Sequence, residues 1–475
     1  MRAYAAAMLG LLGAAGGAAP GELRDDALAA MKKATRFFTA EVACHGGYLW
    51  RYSEDMKRRE GEGKASPSEV WVQPPGTPAV GLAFVRAFEA TGDRQFLDAA
   101  VAAAKALVWG QLRSGGWAYH IDFGGGKRRP LDYRRLPPPK SKKVRLYTVL
   151  DDNTTQAALR HLMAVDQLVE DKAIHDAALY GLDALLKAQL PKGGWPQVFP
   201  YAPSEQRYAT VVRIEPDGSR TELKRPTRYS HYYTFNDNTI NDCIAVCMEA
   251  HRRYGDARYL DAVRKAGDFI ILSQLAAPQT GWAQQYTLDV KPEWARRFEP
   301  RSVCSAATSR NIRTLIEIHL ATGDGKYLAP IPAALDWLER SRLPGAEPRW
   351  ARFYELGTNR PLYFTKDKYE LTYRDDNMPT HYAFIVGGLL RKPAAQYRKV
   401  KEAGREAVLA ERNRKPSAGD LREDAKRLEP EVRRIVGELD ARGRWLHDGW
   451  IECSRFNRNL VRLADYVAAC RGAGE

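Results

Sequence analysis

A glycine-aromatic turn returns five times along this chain: Gly46-Gly47-Tyr48, Gly115-Gly116-Trp117, Gly193-Gly194-Trp195, Gly281-Trp282 and a degenerate Arg349-Trp350, at spacings of 69, 78, 87 and 68 residues. Self-similarity at a regular interval means stacked copies of one supersecondary unit. The unit can be read from its other parts. Ahead of three of the turns a helical run closes in Gln-Leu, at Gln111-Leu112, Gln189-Leu190 and Gln274-Leu275. Upstream of such runs stands a second turn, Thr91-Gly92-Asp93, Tyr254-Gly255-Asp256 or Thr322-Gly323-Asp324. Glycine suits a helix C-terminus and aspartate caps the next helix, so these are corners between two helices. Apolar residues between the turns keep helical spacing, as in Ala158, Leu159, Leu162, Met163 and Val165. The expectation is an all-α chain whose helix pairs close into an α/α toroid, an incomplete α/α barrel, with short β and loop excursions and a cleft at the glycine-aromatic end.

On this reading residues 22–391 form the toroid, interrupted by a Gly-, Lys- and Pro-rich stretch at 123–144 and a second excursion at 201–229. The latter carries Glu215-Pro216-Asp217-Gly218, a hairpin-like turn. Residues 392–440 are highly charged and read as peripheral helix and loop; 441–475 supply a last helix packed on the toroid. The first 19 residues, with one basic residue, an apolar run and small residues at Gly17 and Ala19, read as a signal peptide. Export follows, to the periplasm or the medium, with no membrane span expected. Six scattered cysteines read as buried thiols, and Cys243 and Cys247 lack further ligands at zinc spacing. With 44% hydrophobic and 28% charged residues the chain has a globular composition, and its net charge of +15 favours a polyanionic partner. For an exported protein that is an acidic polysaccharide rather than nucleic acid or membrane. A monomer is expected.

Three constellations can carry chemistry. Asp151-Asp152-Asn153-Thr154-Thr155 and Thr234-Phe235-Asn236-Asp237-Asn238-Thr239 each follow a glycine-aromatic turn, where a toroid puts them in the cleft. Hard oxygen ligands clustered in this way suit calcium. The same residue types also cap helices, but their recurrence in adjacent repeats weighs toward a site. The third constellation mixes arginines and aromatics: Trp294 to Pro300 with Arg296 and Arg297, then Trp350 to Glu355 with Arg352 and Tyr354, Asn359-Arg360, and Tyr373-Arg374. Arginine's planar fork binds carboxylates and aromatic faces stack on sugar rings.

Taken with Gly193-Gly194-Trp195-Pro196-Gln197, these motifs resemble the pectate lyases of polysaccharide lyase family 10, over about residues 145–390 and again at Phe456-Asn457-Arg458-Asn459. The resemblance implies a toroid that binds polygalacturonate and cleaves it by anti β-elimination with calcium. It places Asp152 and Asp237 at the metal, with Asp237 also counted among the catalytic residues. Asn153 falls at the metal or the sugar, and Arg296 is the base that takes the C5 proton. Arg352, Arg360, Arg374, Trp195 and Tyr354 fall on the substrate side. An arginine base needs a cationic surrounding or calcium's help, and implies an alkaline optimum. The chain departs from the family pattern at Arg301 and Cys304-Ser305-Ala306, and adjacent Arg296 and Arg297 leave two candidates for the base. Two other readings fit the repeats: a glycan-binding protein without activity, and a toroidal enzyme like the triterpene cyclases, which Gln111 to Trp117 resembles.

Overall fold

The computed structural model describes residues 20–124, 130–138, 147–201 and 205–474. The leader at 1–19 and parts of the stretches at 123–144 and 201–229 therefore lie outside the described residues. In chain order the α-helices are α1 (Pro20–Phe37), α2 (Thr77–Thr91), α3 (Arg94–Gly110), α4 (Thr154–Asp166), α5 (Lys172–Lys187), α6 (Thr239–Tyr254) and α7 (Ala257–Leu272). They continue with α8 (Ser305–Thr322), α9 (Ile331–Arg340), α10 (Arg391–Ala403), α11 (Arg405–Asn413), α12 (Ala418–Gly437) and α13 (Cys453–Ala473). Helices α2, α4, α6 and α8 pack side by side in that order, with α13 against α2 and α10 against α8. Each member of this row is backed by the helix next to it in the chain, α3, α5, α7, α9 and α12, while α1 packs on α13. Among the described residues no helix is long and apolar enough to cross a membrane.

The repeat has a local chemical logic. At the corners Gly92, Gly255 and Gly323 take the left-handed conformation that closes a helix, and Asp93, Asp256 and Asp324 accept from the backbone N–H two residues on. At the other end of the second helix the Gln side chain ties two repeats together. Gln111 Nε2 donates to the carbonyls of Gly115 and Ala177, Gln189 Nε2 to those of Gly193 and Ala262, and Gln274 Nε2 to those of Thr280 and Pro330. The tryptophan that follows drops into the core. Trp117, Trp195, Trp282 and Trp350 are fully buried, and each indole N–H finds a carbonyl of the preceding helix: Leu107, Leu185, Ile270 and Leu338. Glycine is needed before the aromatic residue because the chain must bend left-handed hard against its neighbour. At Gly193, with φ +106°, a Cβ would sit 2.1 Å from the Lys265 carbonyl oxygen.

Two features depart from expectation. A sixth turn of the same kind, Gly443-Arg444-Trp445, joins α12 to α13, and its indole donates to Ile435 O at 2.8 Å. The charged stretch at 392–440 thus includes α12, which buries Ala425, Leu428, Val432 and Ile435 and packs on α13. The chain is also mainly rather than wholly helical. The excursion after Tyr201 forms the antiparallel hairpin Tyr208–Ile214 with Arg220–Pro226, and it extends a six-stranded sheet. Leu371–Thr372, Pro361–Phe364, Phe353–Tyr354 and Val303–Cys304 complete that sheet. All six cysteines are free thiols.

Candidate active site

Helices α4 and α6 begin in an unusual way. The residues just ahead of them, Asp151–Asn153 and Asn236–Asn238, form tight 3-10 turns whose second and third residues have positive φ: 52° and 57° at Asp152 and Asn153, 44° and 64° at Asp237 and Asn238. Asp and Asn tolerate this conformation better than other side chains with a Cβ, but it still costs about 1–3 kcal/mol per residue. Asn236 is fixed in its turn, its N–H donating to Thr234 Oγ1 and its carbonyl accepting from Thr239 Oγ1. Because α4 and α6 are neighbours, the turns face each other. One carboxylate oxygen from each of Asp151, Asp152 and Asp237 lies within 4.8 Å of the others.

Arg296 completes the cluster from the loop after Trp294. That loop is pinned by the Trp294 indole, which donates to Arg296 O at 2.9 Å, and by Glu299 Oε2, which accepts from Arg296 N at 3.0 Å. The guanidinium Nη2 donates to Asp151 Oδ2 at 3.1 Å and Asp237 Oδ2 at 3.3 Å, and Nη1 lies 3.7 Å from Glu299. Around them, Tyr119 OH and Gln197 Nε2 approach Asp151 at 3.5 and 3.4 Å, Asn236 Nδ2 donates to Asp237 at 2.8 Å, and Tyr382 OH donates to Glu299 at 3.2 Å.

Four carboxylates thus face one guanidinium. Burial, with the charges of Asp237 and Asp152, pushes Asp151 up to about 8; burial and Asp237 push Asp152 up to about 6. Burial likewise raises Glu299, which is 1% exposed. Burial opposes the charge of Arg296, but Glu299, Asp151 and Asp237 outweigh it and push the guanidinium above its ordinary value. The cationic surrounding that a free arginine base needs is therefore not what these side chains provide by themselves. The set does fit a metal ion. Its donors are all oxygens, they converge, and the burial and mutual repulsion that raise Asp151 and Asp152 are what a divalent cation offsets.

The other sequence candidates fall in several places. Arg297 points away from the cluster: its guanidinium lies 5.3 Å from the Tyr369 ring and donates to Lys368 O. Asn153 Oδ1 is taken by Arg160 at 3.1 Å. Arg352 stacks on Tyr382 at 4.5 Å and Arg360 on Tyr373 at 4.0 Å, whereas Arg374 is exposed and paired with Asp376. Trp195 and Tyr354 are corrections to the expected substrate surface. They are 0% and 2% exposed, and their polar atoms are spent on the carbonyls of Leu185 and Ser341, so they hold the core. Asp151, Gln197 and Glu299 stand in the motifs but carry no assigned role there; Tyr119 and Tyr382 carry no signal of their own. From the hairpin, Arg225 Nη1 reaches Ala295 O at 3.4 Å, so the excursion abuts the Arg296 loop.

The chain is similar to a mutant of the family 10 polysaccharide lyase from Cellvibrio cellulosa solved with trigalacturonic acid: 19% identity, 69% of this chain and 98% of that one, TM-score 0.46. It is similar to the same lyase without that mutation at 19% identity, 69% and 97% coverage and TM-score 0.47. A glycoside hydrolase family 76 mannosidase from Bacteroides thetaiotaomicron is similar at 10% identity, 96% and 100% coverage and TM-score 0.45. No curated protein matches the chain. Residues 137–349, the span that contains Asp151, Asp152, Asp237, Arg296 and Glu299, match the family model described as pectic acid lyase.

Proposed function

We propose that the protein is an exported, calcium-dependent pectate lyase that cuts polygalacturonate by anti β-elimination in the cleft of an incomplete α/α toroid. The observation that carries this reading is the convergence of Asp151, Asp152 and Asp237, from two adjacent repeats, on the guanidinium of Arg296. When bound, calcium would neutralise the uronate carboxylate beside C5 and offset the aspartate charges that hold Arg296 protonated. Asp151, Asp152 and Asp237 would hold it.

The reaction needs a base at C5. Arg296 takes that proton, the C4–C5 double bond forms, the C4–O bond breaks, and the departing oxygen is protonated from solvent. Glu299, held by Tyr382, fixes the Arg296 loop through its backbone N–H, and Gln197 and Tyr119 orient Asp151. Arg352 and Arg360, already stacked on tyrosines, offer guanidinium edges to other uronate carboxylates of the polymer. Arg374 is the more peripheral of the three. An alkaline optimum follows from the arginine base, and the apolar leader at 1–19 supports export to where a polymer can be met.

The test is ultraviolet absorbance of the unsaturated uronide released from polygalacturonate between pH 7 and 11, with calcium and then with chelator. Calcium-dependent product that is lost in Arg296→Ala supports the reading. Binding of the polymer without product would leave a glycan-binding protein, and an optimum below pH 7 would remove Arg296 as the base.

A further inference from the structure

A second polar cavity opens beside the acidic turns and has no part in the chemistry described so far. It runs between α6 and α8, has a volume of about 280 Å³, and is lined by Asn238, Asn241, Asp242, Arg310, Arg313 and Thr314, with Ala245, Met248 and Glu317 further along. That volume is near the lower end of the roughly 300–1,000 Å³ typical of small-ligand sites. Asn238 belongs to the strained turn of Asp237, so the cavity begins one residue from the cluster. From there to Met248, at 1.5 Å of rise per residue, it follows α6 for about 15 Å.

Its charged groups divide into those already satisfied and those not. Asp242 lies 3.8 Å from Arg160, which also bonds Asn153 and the Asp242 carbonyl. Glu317 is held by Arg412 on α11, at 2.7 and 2.9 Å. Arg310 and Arg313 make no hydrogen bond or ion pair among the described residues, although Arg310 is half-buried and feels the field of Asp242. Asn241 donates to Asn311 and Thr314 at 3.0 and 2.8 Å, yet its side-chain oxygen is buried without a partner. The acids of the groove are thus engaged, while its two guanidiniums are not. A planar carboxylate is the ligand that meets this need, since guanidinium forks take carboxylates bidentately.

We propose that this groove is an additional uronate subsite: Arg310 and Arg313 bind the carboxylate of a hexuronate unit of the same polymer. The proposal rests on the polyuronate reading of the neighbouring site and assigns a further part of the chain that the polymer would meet.

Equilibrium binding of digalacturonate to calcium-free protein tests it without any turnover. Calorimetry should show binding to wild type that weakens about tenfold or more in Arg313→Ala and again in Arg310→Ala, with melting temperatures unchanged because Arg313 is exposed. Arg313→Lys should recover part of the loss. The methyl-esterified disaccharide should bind as weakly to wild type as the acid does to the double variant. Equal affinity of wild type and both variants overturns the subsite, as does an ester that binds as well as the acid or no binding by wild type at millimolar ligand. Failure of the lyase reading would appear separately, as absence of unsaturated product from a protein that still binds the disaccharide through these arginines.

Discussion

The turns that open α4 and α6 can be set against those that open α2 and α8. All four follow a glycine-aromatic turn, and the same kind of threonine bond stitches several of them to the preceding repeat: Tyr48 N–H donates to Thr77 Oγ1, Trp117 N–H to Thr155 and Trp282 N–H to Thr308. Yet α2 starts from Gly76 and α8 from Cys304, neither with positive φ, while α4 and α6 start from paired left-handed Asp and Asn residues. The scaffold is repeated throughout; among these four turns, the positive φ angles and the carboxylates occur only in the two that open α4 and α6. Stability and chemistry are therefore carried by different residues of the same repeat, and substitutions should separate them.

The largest effect belongs to the chemistry. Arg296→Ala should lower turnover of polygalacturonate by roughly 10²–10⁴-fold, the range for loss of a general base, and in calcium, which offsets the carboxylates left unpaired, its melting temperature should change little. A large loss of stability in that variant would blur the division. The converse is Trp282→Ala in the framework, where a fully buried indole and its bond to Ile270 O are removed; unfolding in urea should show a loss of about 3–5 kcal/mol.

Next comes the electrostatic cost of the site. In metal-free protein the native Asp151 holds its proton up to about 8, whereas in the unfolded chain it releases it near about 4. The native state therefore binds more protons across that window, and this residue's contribution to stability falls as pH rises through it. In chelator, Asp151→Asn should match wild type near pH 4 and exceed it by roughly 1–3 kcal/mol at pH 8.5. If instead the advantage were independent of pH, the strain of crowded carboxylates would not be its source. The smallest expected effect sharpens the framework side. Gln189→Ala loses two bonds, to Gly193 O and Ala262 O, and should cost about 1–2 kcal/mol without altering calcium dependence.

What could be read from sequence follows the same division. The corners at Gly92-Asp93 and Gly255-Asp256 were legible because capping is local chemistry, written in two adjacent residues. The turn at Gly443-Arg444-Trp445 was not, since the helix before it is masked by charge. Asp152, Asp237 and Arg296 stand out in their motifs, and the fold brings them together. Trp195 and Tyr354 were placed on the substrate side because an aromatic residue serves a sugar or a core equally well; only burial decides, and burial is a property of the folded repeat. Tyr119 and Gln197 each stand two residues after a repeat tryptophan, but nothing local links them to Asp151, and Tyr382 comes from a distant loop. The charge balance around Arg296 was also beyond the sequence, because Glu299 folds back under the guanidinium whose motif it shares.

The central claim is that two acidic turns from adjacent repeats act as one cation site. It is tested most directly by calorimetric titration of calcium into wild type, Asp152→Ala, Asp237→Ala and the double variant at pH 8.5. The result expected is one ion per chain in wild type, with either single substitution weakening binding nearly as much as both together. Binding that survives Asp237→Ala unchanged, or no calcium binding by wild type, would contradict it.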